Sequence, residues 1–404
     1  MRRQWLRGLP RVVWLLGFAS LLNDVSSEAI FPLLPLFIGQ LGGGVRALGL
    51  IEGSADAAAA AAKVLAGRLA DHGPRRLLVI GGYALPAVAR AAIAAALAPW
   101  HLLAARLTDR IGKGVRAGPR DALLADAAPV GEVGRAFGLQ RSMDHLGAAV
   151  GPLVAAGLVA AGASLRLTFA MAAGAGLAAP LLLALRLRDP AVAAASDPAA
   201  SSAAVPVAAP PPSLPAALRG YLALAALFAL ANSTDAFLLL RARDAGVPAA
   251  AVPLLWFLHQ TVKTLAGLPG GALSDRLPRA LVVAAGWCAY ALAYAGFALA
   301  TTPLQITALF VFYSAYHGLA EGAERALVSD LAPRGARGRA FGWYHGTVGA
   351  VALPAGLLTG SLWEGHGPAV ALGTCAALAA LASLLLAASP LARRASGWRD
   401  VSCP

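Results

Sequence analysis

Apolar runs of about twenty residues recur along almost the whole chain, separated by short polar turns. As an α-helix, each run is long enough to cross the roughly 30 Å hydrocarbon core of a bilayer. The pattern predicts an all-α polytopic membrane protein with twelve transmembrane helices. Their predicted bounds are 12–38, 47–69, 77–97, 101–126, 136–160, 163–185, 219–240, 250–273, 280–300, 303–329, 339–362 and 367–389.

The fourth predicted span carries far more charge than a lipid-facing helix can hold. Its charged residues follow one another at helical steps of three and four, so they share one face. Five cations facing lipid would cost about 15 kcal/mol, at about 3 kcal/mol each. The face must therefore border a wet cavity inside the protein. Its residues are Arg106, Asp109, Arg110, Lys113, Arg116, Arg120 and Asp121.

The chain repeats itself after 204 positions, because residues 67–75 align with 271–279 and the GRAFG segment at 134–138 recurs at 338–342. We therefore expect two parallel six-helix repeats, related by a pseudo-twofold axis along the membrane normal. An Ala-, Pro- and Ser-rich stretch between them is typical of a flexible linker. The predicted domains are the N-terminal bundle 1–188, the linker 189–218, the C-terminal bundle 219–392 and a tail 393–404.

The net charge of +13 is explained by topology rather than by nucleic-acid binding. Arginines concentrate in the loops that a twelve-span topology places on one side, together with both termini and the linker. The positive-inside rule then predicts cytoplasmic termini. The Ala- and Arg-rich composition, with few lysines, is typical of a GC-rich bacterial genome, so we expect a multi-pass protein of the bacterial inner membrane. The three cysteines show no disulfide or metal-ligand spacing, so neither a metal nor a cofactor is expected.

The loop after the second span reads GRLADHGPRR. It resembles the Gly-x-Leu-Ala-Asp-Arg-x-Gly-Arg-Arg signature of the major facilitator superfamily, with His72 and Pro74 as departures. The resemblance implies a transporter that works by alternating access. It also implies that Asp71, Arg75 and, through the repeat, Asp275 bias the equilibrium between the two open states. A capped cytoplasmic turn without such a role is the alternative.

Gly151 and Pro152 in the fifth span resemble the proton-coupled antiporter motif of the same superfamily, although Ala155 and Ala156 replace its final glycines. The resemblance implies export by proton antiport. Small residues also allow close helix packing, and that alternative stays open. The NDVSSE segment of the first span and the DRIGKG and PRDAL segments of the fourth resemble bacterial permeases of this superfamily without a settled substrate.

Candidate substrate-binding residues come from the fourth span and from polar positions of the second half. The cations of the fourth span suit an anionic group on the solute. Alternatively, they only pair with acidic residues of the first two spans in a structural network. The candidates are Arg106, Asp109, Arg110, Lys113, Arg116, Asp235, Tyr313, Tyr316 and His317.

Two acidic pairs are candidates for proton coupling. Asp24 and Glu28 lie one helical turn apart in the first span, and Glu52 and Asp56 repeat that spacing in the second. A carboxylate in a partly desolvated cavity can exchange a proton as the site opens to either side. Salt bridges to the fourth span would instead lock these groups.

The repeat also predicts an inner gate. Residues equivalent under a twofold axis face one another when they lie near it. Arg120 is therefore expected to pair with Glu324, and Asp121 with Arg325, when the cavity opens outward.

These patterns favour a secondary-active transporter, proton-coupled, that exports a small organic solute such as a drug or a siderophore, with an anionic group as one option. The alternatives are a proton-coupled importer of an organic anion and a transporter-like sensor that no longer moves solute. An enzyme is disfavoured, because the sequence has no complete phosphate loop, zinc pattern or nucleophile elbow. The expected partners are the solute, protons and lipid, with the protein as a monomer.

Overall fold

A computed structural model describes residues 9–70, 75–128, 133–187, 214–332 and 337–393, and these residues are almost entirely helical. The first half contains α1 (Arg11–Ile30), α2 (Leu34–Gln40), α3 (Val45–Ala70), α4 (Arg75–Ala94), α5 (Pro99–Ala127), α6 (Val133–Ala160) and α7 (Leu165–Arg186). The second half contains α8 (Ala216–Ala231), α9 (Ala236–Asp244), α10 (Val252–Arg276), α11 (Arg279–Leu299), α12 (Pro303–Leu331), α13 (Arg337–His366), α14 (Pro368–Ala388) and the short α15 (Pro390–Arg393).

The described helices make twelve passes, as the sequence predicted. The first pass joins α1 and α2 through a 3-10 turn at Phe31–Leu33, where Pro32 supplies no backbone donor for a regular helix. The seventh pass was predicted to be one helix, which is wrong. It breaks between Asn232 and Asp235 into α8 and α9, and the break carries Asp235 into the interior.

Four passes are distinctly more polar than the others. Eight passes contain a window apolar enough to cross a membrane by length and composition, counted over the described residues. The remaining four are α3, α5, α10 and α12, which are equally long. Many of the charges that lower their hydropathy line the cavity between the two halves, and others form ion pairs within one half, as described below.

Helix packing repeats between the halves. In the first half, α1 packs on α6 and α7, α3 on α5, and α4 on α5 and α7. In the second half, α8 packs on α13 and α14, α10 on α12, and α11 on α12 and α14. These are the same pairings in the same order, which confirms two parallel six-helix repeats.

The halves meet through two equivalent contacts, α3 against α13 and α6 against α10. Backbone approach is closest at Gly49 of α3 and Gly356 of α13. A Cβ added to Gly49 would lie 2.1 Å from the carbonyl oxygen of Gly356, and the reverse distance is 2.3 Å. Only glycine permits this approach.

Two sides of the bundle can be distinguished. The linker side is the one where α7 ends at Arg186 and α8 begins at Ala216. The far side is the one where α3 begins at Val45 and α13 ends at His366, so the Gly49–Gly356 contact lies in the far half of the interface. Near the far surface, Nε of Arg46 donates to Oγ of Ser361 at 3.2 Å and lies 4.0 Å from the Glu364 carboxylate.

Some predictions fall outside the described residues. They concern the linker at 189–213, the tail at 394–404 and Asp71. The domain bounds that depend on the linker and the tail stay predictions.

Candidate functional site

A cavity lies between the two halves and consists of two joined chambers. The linker-side chamber has a volume of about 520 Å³ and the central chamber about 460 Å³. Glu28, Lys63, Lys113 and His317 line both chambers, so the two form one continuous space.

The cavity is open towards the linker side. There its lining includes Arg141 and Arg325, whose surfaces are exposed. Towards the far side its lining includes Trp256 and Tyr313, which are 5% and 1% exposed. Together with the Gly49–Gly356 contact, this describes a conformation closed on the far side.

A buried ion-pair network occupies the first half beside the cavity. Arg106 donates to both carboxylate oxygens of Glu52, at 2.7 and 2.6 Å. Asp109 lies 3.5 Å from Arg106 and accepts from Nε of Arg90 at 2.8 Å. Arg90 also donates to the backbone and side-chain oxygens of Asn23. The four charged side chains are at most 4% exposed, so each charge is compensated inside the bundle.

This network bears on both interpretations for three of the candidates. Arg106, Asp109 and Glu52 are absent from the lining of either chamber. For them, the contacts support a structural network rather than the predicted substrate-binding and proton-coupling roles. Arg90 belongs to the same network and was missed. Its signal was a single arginine in an otherwise apolar third span, which can be buried only with a partner.

Two further cations of the charged face reach the cavity while contacting neighbours. Arg110 lies 3.6 Å from Asp56 and 3.9 Å from Glu52, and it lines the central chamber with Asp56. Arg116 lines the linker-side chamber, where its guanidinium lies 4.4 Å from the centre of the Tyr83 ring. It also donates to the carbonyl oxygen of Gly82.

The lysines of the first half are arranged differently. Lys63 and Lys113 line both chambers, and neither makes a hydrogen bond or ion pair within the described part of the chain. Lys263 of the second half, by contrast, lies 3.7 Å from Glu321. Two cationic groups therefore line the cavity without a close ion-pair partner among the described residues, although Asp24, Glu28 and Asp56 line the same chambers. The sequence singled out only Lys113 of this pair as a ligand.

Asp24 and Glu28 both line the linker-side chamber, as expected for the first span. Asp24 accepts from the amide of Asn23 at 2.8 Å. Glu28 contacts the opposite half, where it accepts from Trp256 at 2.7 Å and from Gln260 at 3.3 Å. Of the two, Glu28 is thus the acidic residue whose contacts cross the cavity.

The second half presents an aromatic and imidazole wall. Tyr313 donates to Asp235 at 2.6 Å, and the amide of Asn232 donates to the hydroxyl of Tyr316 at 3.3 Å. Asp235, Tyr313 and His317 line the central chamber, whereas Tyr316 is buried behind it. The two halves therefore present different chemistry at equivalent positions. Under the 204-residue repeat, His317 of the second half is equivalent to Lys113 of the first.

Asp235, His259 and His317 form a compact group, with one potential ligand atom of each lying within 4.8 Å of the others. The three residues come from the seventh, eighth and tenth passes. Chain spacing gave no sign of such a group, because only the fold brings these passes together. The sequence had not assigned a metal site to them.

The predicted gate residues are not paired across the halves in this conformation. Arg120 donates to its neighbour Asp121 at 3.0 and 2.9 Å. Glu324 accepts from Trp287 at 2.7 Å and from Tyr344 at 2.5 Å, all within the second half.

Arg325 donates to Glu321 one turn away, at 2.7 Å. The described conformation is open on the linker side, whereas the gate was expected to close in the opposite state. The gate pairing therefore stays a prediction.

The remaining conformational candidates lie at the linker side and along α6. Arg75 contacts Asp126 at 2.7 Å, and the repeat-equivalent Arg279 contacts Asp330 at 2.6 Å. Both ion pairs join helices of the same half. Asp275 lies on α10, but its side chain is outside the described part of the structure.

Gly151 packs against α1, where an added Cβ would lie 2.6 Å from the carbonyl oxygen of Val25. Pro152 follows it inside α6. Close packing is therefore one function of this motif, and its role in antiport stays a prediction.

Comparison with known proteins agrees with the geometry. The family model of the Major Facilitator Superfamily matches residues 16–257 and 220–401. An MFS-type transporter of Methanocaldococcus jannaschii is 30% identical over 369 residues, which cover 89% of this chain and 90% of the relative. A multidrug resistance protein, MdtH, of Photorhabdus laumondii is 29% identical over 147 residues, covering 36% of this chain and 37% of the relative.

Solved structures show the same fold. A transporter of the POT family, crystallised with a thioalcohol-conjugated peptide, superposes with a TM-score of 0.77 at 13% identity, covering 94% of this chain and 96% of that one. Twelve passes in two parallel repeats, a cavity between them and a family match along almost the full length lead to one conclusion. The chain belongs to the major facilitator superfamily and is a membrane transporter, not an enzyme.

Proposed function

We propose that this transporter exports a small organic solute carrying an anionic group, in exchange for protons. Alternating access supplies the mechanism: the cavity opens to one side at a time, and the far-side contact between α3 and α13 gives way when the linker side closes. In this proposal the linker side faces the cytoplasm of a bacterial cell, both termini are cytoplasmic and the protein acts as a monomer.

The observation that carries the proposal is the pair of cavity lysines, neither of which forms an ion pair with any residue that the structure describes. Lys63 is exposed to the cavity and Lys113 is half-buried, and two ammonium groups that face one cavity without ion-pair partners among the described residues favour an anionic ligand there. Lys63 and Lys113 reach both chambers, with Arg110 beside them in the central one. The proposed anion site thus keeps Arg110 and Lys113 of the predicted cations and adds Lys63, and the aromatic wall of the second half would pack against the rest of the solute.

Proton coupling is assigned to Glu28, with Asp24 and Asp56 as further candidates. Glu28 accepts hydrogen bonds from the other half, so its protonation state affects how strongly the halves are held together. A proton bound at Glu28 and an anion bound at the lysines would then favour different conformations. Such mutually exclusive preferences are what antiport requires.

The direction of transport rests on two similarities. Gly151 and Pro152 resemble the antiporter motif, and part of the chain is similar to a multidrug resistance protein. Symport of an organic anion into the cell is the second candidate, because the same lysines would also serve uptake.

The test uses everted membrane vesicles from a bacterial strain that expresses the full chain. Respiration acidifies the vesicle interior, and a pH-sensitive acridine dye reports the gradient. A panel of organic anions and of cationic drugs is added in turn. Proton antiport predicts that an anion dissipates the gradient, and that Lys113→Ala abolishes this response. Vesicles carrying His366→Ala, a substitution at the far-side end of α13, serve as the matched control.

Two results would count against the proposal. A response to cationic drugs alone would exclude the anion site. Uptake of an anion into intact cells, driven by an inward proton gradient, would establish symport in place of antiport.

A further inference from the structure

We propose that Asp235, His259 and His317 form a binding site for a divalent transition-metal ion such as Zn²⁺ or Co²⁺. The three residues offer two imidazole nitrogens and one carboxylate oxygen, all within 4.8 Å of one another. Ligand atoms around a tetrahedral ion lie about 3.3 Å apart, so a shift of about 1 to 1.5 Å at the side-chain ends would close the site. The proposal goes beyond solute export and does not depend on it.

The hydrogen bonds around His259 leave its outer nitrogen ready to bind a metal. Its Nδ1 lies 3.1 Å from the hydroxyl of Ser314. The single proton of that hydroxyl points to the carbonyl oxygen of Phe310, at 2.8 Å. With the hydroxyl proton donated to Phe310, Nδ1 of His259 is the donor to Ser314, and this tautomer keeps a lone pair on Nε2. A second partner that fixes the tautomer in this way is the usual support of a metal-binding histidine.

His317 supplies an independent indication. Its Nε2 is shielded from solvent and has no hydrogen-bond partner in the described part of the protein. An imidazole nitrogen buried without a partner loses its interaction with water and gains nothing in return. A metal ion would restore that interaction. The ring centroids of His259 and His317 lie 5.2 Å apart and the ring planes are inclined by 69°, so their edges can approach a common point.

The position of Asp235 also suits a metal ligand. It lies at the start of α9, directly after the break in the seventh pass, and its Oδ1 accepts from Tyr313 at 2.6 Å. The carboxylate still has accepting capacity on its other oxygen. Ion-pair contacts within 4.0 Å are absent for Asp235 among the described residues, whereas Lys263 is paired with Glu321. The negative charge of Asp235 is thus available to a cation.

The ligand set determines which ions fit. Two imidazoles and one carboxylate suit Zn²⁺, Co²⁺, Ni²⁺ or Fe²⁺ and disfavour the oxygen-seeking Mg²⁺ and Ca²⁺. Three protein ligands leave a fourth position open on a tetrahedral ion. Asp235 and His317 line the central chamber, so this position would be accessible to a solute in the cavity.

The experiment titrates Co²⁺ into the purified full chain in lipid nanodiscs, with a purification tag that contains no histidine and after removal of metals by chelation. Tetrahedral Co²⁺ with nitrogen and oxygen ligands absorbs visible light far more strongly, and at longer wavelength, than the hydrated octahedral ion. We expect one Co²⁺ per chain, displaced by Zn²⁺ and not by Mg²⁺. Asp235→Asn and His317→Ala should weaken binding by about tenfold or more.

His345→Ala is the matched control, because His345 lines the same chamber outside the group of three, and it should bind Co²⁺ like the unaltered chain. Thermal unfolding without metal checks that each variant is folded. If the variants do not fold, X-ray absorption of the Zn²⁺-loaded unaltered chain decides, since two imidazoles and one carboxylate must appear around the ion. Absence of Co²⁺ binding, or equal loss in the His345 variant, overturns the proposal.

Discussion

The indole Nε1 of Trp256 donates a 2.7 Å hydrogen bond to Oε2 of Glu28, and so connects α10 of the second half to α1 of the first at the centre of the cavity. Gln260, one turn along α10, donates to the same oxygen at 3.3 Å. A charged acceptor makes such bonds about twice as strong as a neutral one. Because the two helices belong to different halves, their relative motion must stretch or break this connection.

Glu28→Gln should uncouple transport from the proton gradient without preventing solute exchange. The amide keeps a carbonyl acceptor for Trp256 but cannot gain or lose a proton. In proteoliposomes, gradient-driven movement of an identified solute should fall towards background, whereas counterflow without a gradient should persist. Asp24→Asn is the comparison, since the Asp24 carboxylate accepts from Asn23 of its own helix and does not bridge the two halves; it should keep more gradient-driven transport than Glu28→Gln. Retention of gradient-driven transport in Glu28→Gln would move the coupling site elsewhere.

Glu52→Gln should destabilise the protein rather than act on solute binding alone. It removes the charge that Arg106 contacts with two hydrogen bonds at full burial. Removing one partner of a buried ion pair leaves an uncompensated charge and lowers the free energy of unfolding by about 3 to 5 kcal/mol. Thermal unfolding in detergent should show a clear fall in the midpoint. Lys113→Ala, at a cavity position that forms no hydrogen bond or ion pair with the described residues, should leave the midpoint almost unchanged.

The double variant Glu52→Leu with Arg106→Met tests the cause of that loss. Replacing both charges with apolar groups of similar size removes the uncompensated charge, so most of the lost stability should return. A double variant as unstable as Glu52→Gln would show that the ion pair itself stabilises the protein, and that the loss does not come from an arginine left without its partner.

Gly356→Leu should hold the far side open. The backbones of Gly356 and Gly49 approach so closely that a side chain cannot be accommodated. The two halves would then separate on the far side and close on the linker side. Spin labels can be attached at positions 141 and 325, on opposite walls of the linker-side chamber, in a variant without other cysteines. Double electron–electron resonance should then report a shorter distance between the two labels in Gly356→Leu.

Gly365→Leu is the control on the same helix, because an added Cβ there meets no atom within 4 Å. It should leave the label distances unchanged. An unaltered distance distribution in Gly356→Leu would contradict the assignment of the α3–α13 contact as the closed far side.

Arg120→Glu should impair transport, and adding Glu324→Arg should restore part of it, if the two residues pair when the linker side closes. In the open state their partners are Asp121 for Arg120, and Trp287 and Tyr344 for Glu324. Transport of an identified solute by the single and double variants provides the measurement. Absence of rescue would leave Glu324 with its present role of joining two aromatic residues of its own half.

Much of the fold could be read from the sequence because its signals are local or periodic. The lengths of apolar runs are set by membrane thickness, and the 204-residue repeat directly predicted two homologous halves. The cost of charge in lipid similarly required the face around Lys113 to border a cavity. The break at Asn232 to Asp235 was missed, since hydropathy is averaged over a window longer than four residues.

The sequence by itself determined twelve passes, two parallel repeats, the superfamily resemblance and a wet cavity beside the fourth pass. It could not separate Arg106 from Lys113, which share one helical face two turns apart. The tertiary structure decided that Arg106 meets Glu52 and Asp109, whereas Lys113 meets the cavity. It also brought Asp235, His259 and His317 together from three passes. The physical reason is that a charge acquires its role from its partners, and partners far apart along the chain are chosen only when the helices pack.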